Sequence, residues 1–182
     1  MRISGGDAKG IALKVPPGAR PASEKVRQAV FSSIAAHVPD AKVLDLYCGS
    51  GAYGLEALSR GADAAVFVDR TAPATAAVRA NAAATGAADV SMVRRSDVMR
   101  YLISRGRRDG PFDLVFIDPP YGGPDVTKAL VTAAAKLLAH DGRVIVETRW
   151  SPQEPQVPDG LLVEADRRYG DTRVLTFRRG EA

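Results

Sequence analysis

"KVLDLYCGSGAYGLEAL", residues 42 to 58, passes from an apolar run through a glycine-rich turn into a helix-forming run. Gly49, Gly51 and Gly54 stand where a strand must reverse into a helix with little room for side chains, the opening of a βαβ unit. The centre of the chain repeats the alternation. Strands are predicted at 42–47, 64–69, 90–95, 112–118 and 143–148, with helices near 52–60, 72–84, 97–105 and 125–139. That order reads as a parallel sheet covered by helices. The run "LVFI" at 114–117 is continuously apolar, as a strand buried on both faces must be, so 112–118 is placed near the middle of the sheet.

The ends read differently. "RISGGDAKGIALKVPP" (2–17) alternates, carries a glycine pair and stops at prolines, which predicts a small β-hairpin or extended arm. In the helix predicted to follow, Val26, Val30 and Ile34 recur one turn apart behind Ser23 as N-cap. "LLVEADRRYGDTRVLTFRR" (161–179) reads as an antiparallel hairpin that closes the sheet.

At 182 residues and 46% hydrophobic content the chain suits one domain with a small appendage. No run approaches the roughly 18 apolar residues of a membrane span, and "MRISGGDAKG" lacks a signal peptide's apolar core, so a cytoplasmic protein is expected. One cysteine, Cys48, and two histidines, His37 and His140, argue against a disulfide framework or a zinc site. The formal charge of +4 is modest, but residues 1–40 hold six Lys/Arg against three acids and residues 94–108 six arginines against one.

Gly49, Gly51 and Gly54 satisfy G-x-G-x-x-G, and Asp69 lies twenty residues beyond Gly49 at the end of the next strand, a spacing shared with dinucleotide sites. Asp45, inside the first strand, discriminates. A carboxylate there repels a pyrophosphate but suits an ammonium group. S-adenosylmethionine (SAM) has the ammonium, has ribose hydroxyls and lacks phosphate. The expected cofactor contacts are Asp45 at the amine, Tyr47, Cys48, Gly49, Ser50 and Gly51 along the turn, Asp69 with Arg70 at the ribose, and Asp97 with Val98 at the adenine. Asp97 doubles as a candidate N-cap. Cys48 reads as a small packed residue of the turn, not as a nucleophile.

The strand 112–118 ends in Asp118-Pro119-Pro120-Tyr121. An exocyclic amine on a base is a weak nucleophile because its lone pair is delocalised. The Asp118 carboxylate and the Pro119 carbonyl offer acceptors for its N–H groups, Pro119 and Pro120 fix the geometry, and Tyr121 offers a ring on which an extruded base stacks. The pattern implies methylation of a base amine.

Taken together, "RISGGDAKGIAL", "RPASEKVRQAVFSSI", "LDLYCGSGAYGLEALSRGA", "FDLVFIDPPY" and "VIVET" resemble the bacterial 16S rRNA guanine-N2 methyltransferases of the RsmD type, collinearly over about residues 2 to 178. The resemblance implies an α/β, Rossmann-like class I SAM-methyltransferase fold. Its sheet is seven-stranded and mostly parallel, with an antiparallel C-terminal hairpin and a small N-terminal β-hairpin and helix extension. It implies an arm over 1–20, a methyltransferase domain over 21–182 with a leading helix over 23–38, and a monomer acting on 16S rRNA of the small subunit. Arg2, Lys9, Lys14, Arg20, Lys25 and Arg27 are the expected RNA contacts. The chain departs from the family in having Asp69 where Glu is usual, which keeps the carboxylate. Three rival readings are a DNA adenine-N6 methyltransferase, for which no recognition domain fits in the length, a non-catalytic RNA-binding assembly factor, and an NAD-dependent reductase.

Overall fold

The computed structural model describes residues 1–18, 23–119, 131, 134–154 and 157–180. Seven strands form one sheet in the order β3-β2-β1-β4-β5-β7-β6. These are β1 (Lys42–Leu46), β2 (Ala64–Asp69), β3 (Ser91–Arg95), β4 (Phe112–Ile117), β5 (Leu138–Arg149), β6 (Leu161–Tyr169) and β7 (Thr172–Arg179). The first five are parallel, while β7 runs antiparallel between β5 and β6. The expected sheet is thus present, and β4 is its middle strand, with Phe112, Leu114, Val115, Phe116 and Ile117 all buried.

The helices sort onto two faces. α1 (Glu24–Ser33), α2 (Ala52–Ser59) and α3 (Ala72–Ala84) share one core with the odd-numbered residues of β1, including Val43. α4 (Val98–Ser104) packs into the other, with Leu44, Leu46, Val115 and Ile117. Alternate strand residues point to opposite faces, so each strand feeds both cores. A short α5 (Gly106–Asp109) leads back to the start of β4.

Two predicted boundaries move. α1 stops at Ser33, where Ile34 leaves helical backbone at φ −109° and ψ 15°, and a single tight 3₁₀ turn over Ala35–His37 follows. Ser23 holds the N-cap position with extended backbone but makes no side-chain cap bond. The helix expected to 139 gives way by Leu138, because Leu138 pairs with Phe112 and starts β5 five residues earlier than sequence placed it. The rest of that expected helix lies largely outside the described residues.

The N-terminal arm is an integral part of the fold. A lone bridge, Arg2 with Ala12, closes its hairpin, and Ile3, Ala8 and Leu13 are buried in the same core as α1 and α2. Glu56 of α2 anchors it. Its Oε2 accepts from the Ser4 amide (2.8 Å) and Arg27 (3.2 Å), and its Oε1 accepts from the Ser4 hydroxyl (2.7 Å) and Arg60 (2.8 Å). Arg27 also donates to the Arg2 carbonyl. Burial alone would raise the Glu56 carboxyl's pKa, but the two Ser4 bonds and the two arginines overcome it and hold the value below the usual glutamate range.

A carboxylate with a lowered folded-state pKa contributes stability that is complete above the unfolded value, about 4.3, and is lost as pH falls through the folded value. Denaturant midpoints should therefore drop on acidification below about pH 4.3. Glu56→Gln, which leaves Arg27 buried without its counter-charge, should cost about 3–5 kcal/mol at pH 7. That variant should also show a flatter acid limb in urea titrations followed by circular dichroism.

Candidate active site

Strand order reverses at β1. The chain runs outward from β1 through β2 to β3, then returns to place β4 on β1's other side. A crevice forms outside the C-terminal ends of strands at such a point, and it is where ligands bind in open α/β sheets. Both sequence motifs flank it: Tyr47 to Gly51 follows β1, and Asp118-Pro119 follows β4.

The first motif folds as its glycines require. Tyr47, Gly49 and Gly51 all have positive φ, at 56°, 51° and 78°, so the chain reverses within five residues. Gly54 serves packing instead. A Cβ there would lie 2.3 Å from Phe67 Cε1, and Phe67 is fully buried on β2. Asp45, 3% exposed, reaches forward to accept the Gly54 amide at 2.9 Å, one of the donors that the first turn of α2 leaves unpaired. Burial pushes the Asp45 carboxyl well above its usual pKa, the Gly54 bond opposes this, and the charges of Asp118 and Asp69 add to the rise. Asp45 and Asp118 therefore lie close enough to feel each other. Register agrees. Asp45 pairs with Phe116, two residues before Asp118, a separation of roughly 8 Å between backbones.

Asp69 closes the turn from the other side. Its Oδ2 accepts from the Gly49 amide (3.1 Å), and its Oδ1 accepts from the amide and hydroxyl of Thr71, both at 2.9 Å. Asp97 caps α4 through the Arg100 amide at 3.0 Å, as its sequence position suggested, with Val98 buried behind it. Arg70 is exposed at the same rim, where the Arg95 guanidinium donates to its carbonyl at 3.4 Å. Burial pushes the Cys48 thiol up, helped by Asp45 and Asp69, so it stays protonated and unreactive.

Sequence reasoning missed two groups. Tyr53 donates to Glu147 Oε2 at 2.7 Å, and both side chains are buried. Ile117 pairs with Val146, so Glu147 is next in line to Asp118, on the face that carries Phe116. The Tyr53 ring stacks on Phe116 (5.0 Å between centroids) and Phe31 (6.3 Å), which fixes the floor beneath Asp118. Burial, then Glu147, then Asp118 raise the Tyr53 pKa and keep its proton in that bond. The available signal was an acid inside the apolar run 143–148. Asn81 was also missed. Buried on α3, it accepts from the Lys14 amide and donates to the carbonyls of Lys14 and Ser50, so it ties the arm to the glycine turn.

The expected RNA contacts divide. Arg2, Lys9, Lys14 and Lys25 are exposed. Arg27 corrects the expectation: it is fully buried and its charge is spent on Glu56. The amphipathic pattern of α1 placed Arg27 beside Val26, and the buried acid that draws it inward sits on another helix. Arg20, Pro120 and Tyr121 lie outside the described residues. In the arginine cluster, Arg94 pairs with Asp109, and Arg105, Arg107 and Arg108 are exposed just before β4 begins, at the opposite end of the sheet. Among the described residues no cluster of His, Cys, Asp and Glu has a metal-binding arrangement, and no helix is long and apolar enough to cross a membrane.

This chain matches the family described as conserved hypothetical protein 95 over residues 1–178. It is similar to ribosomal RNA small subunit methyltransferase D of Escherichia coli K12, with 31% identity over 98% of this chain and 90% of that one. YlbH of Bacillus subtilis is 33% identical over 98% of this chain and 99% of its own. The solved structure of Escherichia coli yhhF superimposes with a TM-score of 0.83 at 31% identity, over 98% and 97% of the two chains.

Packing around the turn has a measurable consequence. Gly54→Ala forces a methyl group against the immobile Phe67 ring and should cost about 1–3 kcal/mol in thermal or urea unfolding. Gly86→Ala, at a positive φ but with open space around it, separates conformational strain from this clash.

Proposed function

The chain belongs to the RsmD family of rRNA methyltransferases, and we propose that it transfers a methyl group from SAM to the exocyclic N2 amine of a guanine in 16S rRNA of the small subunit. One observation supports the reading most. Two acidic motifs face each other across the switch point, Asp45 on the cofactor side and Asp118 on the target side, close enough that each charge bears on the other.

The residues present fit SAM. The turn offers backbone and small side chains where a bulky ligand must approach, and the carboxylates on its walls favour an ammonium and hydroxyls over a phosphate. Asp45 would hold the amino group, Asp69 with Arg70 the ribose side, and Asp97 with Val98 the adenine side, while Tyr47, Cys48, Gly49, Ser50 and Gly51 form the bed. When bound, SAM supplies an electrophilic sulfonium methyl group. No residue here needs to become a nucleophile.

The protein's own work is done on the amine. The Asp118 carboxylate and the Pro119 carbonyl accept its N–H groups, which withdraws the nitrogen lone pair from conjugation and directs it at the methyl group. Donors and acceptors fixed before the reaction reorganise little during it, and removing one such group costs other enzymes about 2.7–4 kcal/mol. The same carboxylate takes the proton that the amine sheds. Pro120 and Tyr121 complete the motif as a rigid mount and a stacking ring for the extruded base. Exposed Arg2, Lys9, Lys14 and Lys25 supply phosphate contacts from the arm and α1, and Arg20 is assigned with them.

Asp118→Asn should lower methyl transfer from labelled SAM to unmodified small subunits by about a hundredfold or more, with SAM affinity by calorimetry nearly unchanged. A fully active variant contradicts the assignment. SAM affinity should rise with pH through the raised Asp45 pKa, because only the carboxylate pairs with an ammonium. Asp45→Asn should bind SAM weakly at all pH values and lose that dependence in the same calorimetric titration.

A further inference from the structure

The hairpin that closes the sheet turns back at the same rim as the candidate active site. Arg149, the last residue of β5, pairs with Thr172, and Thr172 pairs with Tyr169 across the hairpin. Two rows down, Glu147 pairs with Val174, and Val174 pairs with Arg167. Residues in register share a face, so Arg149 and Arg167 stand on the face that carries Glu147 beside Asp118. Arg149 lies two residues beyond Glu147 and Arg167 two strands across from it, on the order of 7 and 10 Å of backbone. The opposite face holds a stack. The Arg168 and Arg173 guanidiniums sit 4.5 and 5.3 Å from the centroid of the half-buried Trp150 ring.

The tip is tied down by its own hydrogen bonds. The Trp150 amide donates to the Asp171 carbonyl at 2.7 Å, and Arg168 donates to Gly170 at 2.9 Å. Arg173 is mostly buried, pairs with Asp166 and binds the Ser151 and Gln153 carbonyls, so it serves the fold. Arg149, Arg167 and Arg168 are exposed; of the acids beside them, Asp166 is engaged by Arg173 and Asp171 stands exposed in the turn, so the arginines outnumber the acids at the tip. The exposed apolar residues of β6, Leu162 and Val163, lie at the other end of the strand. An apolar protein partner has nothing to hold at the tip, whereas a polyanion has three guanidinium forks and an aromatic stack.

We propose that the β6–β7 tip is a second RNA-binding surface, in which Arg149, Arg167 and Arg168 grip the phosphate backbone beside the target nucleotide and Trp150 stiffens the ledge. The inference rests on the rRNA reading above. It places RNA on both sides of the pocket, with the arm and α1 on one side and the hairpin on the other.

The test uses the full chain carrying R149Q, R167Q and R168Q, with binding to protein-free small-subunit rRNA followed by fluorescence anisotropy across a salt series. Affinity should fall at least tenfold and the log–log salt slope should shrink by about 2, at roughly 0.7 per lost phosphate contact. SAM affinity and the circular dichroism spectrum at the assay temperature should stay unchanged. A control of equal charge loss at the far end of the sheet, R105Q with R107Q and R108Q, should bind as the wild type does. Equal losses in both triple variants, or wild-type binding by the hairpin variant, overturn the inference. Unchanged rRNA affinity with lost methylation of assembled subunits means that the surface docks on ribosomal protein, which also overturns it. A wild type that binds no protein-free rRNA but methylates small subunits overturns this inference alone, and one that does neither defeats the underlying reading with it.

Discussion

The bond from the Gly54 amide to the buried Asp45 carboxylate organises this molecule. A carboxylate inside a sheet is costly, and its raised pKa shows the cost. The opening amides of α2 offset it, but only if the helix begins directly above the strand. That demand makes Tyr47, Gly49 and Gly51 adopt left-handed backbone and brings Gly54 against Phe67. With α2 pinned there, β2 and β3 extend the sheet to one side and leave the other side of β1 to β4. The crevice between them is a product of the same constraint.

Around that crevice the structure keeps negative charge close together and restrains it. Asp69 is tied to the glycine turn and to α3, Asp97 to α4, and Glu147 to Tyr53. Each carboxylate is pinned by a backbone amide or a phenol, so its orientation is set before any ligand arrives. Such pre-organisation suits the proposed chemistry, in which one side of the crevice holds a cation and the other polarises a neutral amine. The arm contributes to the same rigidity through Glu56 and Asn81, so any grip on RNA belongs to fixed charges on packed elements.

Much of this was legible in the sequence. The continuously apolar "LVFI" run identified the central strand, the glycine spacing located the turn, and the acids at 45, 69 and 118 marked one rim. These signals are local, and each reflects a few adjacent residues meeting one environment. What sequence missed depends on contacts between distant segments. Arg27 looked like a surface cation of an amphipathic helix because Glu56, 29 residues away, gave no sign of being its partner. Tyr53 and Glu147 are 94 residues apart and meet only when β5 lies beside β4. Leu138 continues an alanine- and leucine-rich helical pattern, yet pairing with Phe112 makes it a strand.

The central claim is that the crevice between β1 and β4 directs a methyl group to a base amine, with Asp118 as the acceptor. The most direct measurement incubates the protein with isotopically labelled SAM and unmodified small ribosomal subunits, digests the RNA to nucleosides and identifies the labelled product by mass spectrometry. N2-methylguanosine at a single site, absent with Asp118→Asn, is the predicted result. Label on a ring carbon, a ribose hydroxyl or protein, or no label in RNA at all, would contradict it.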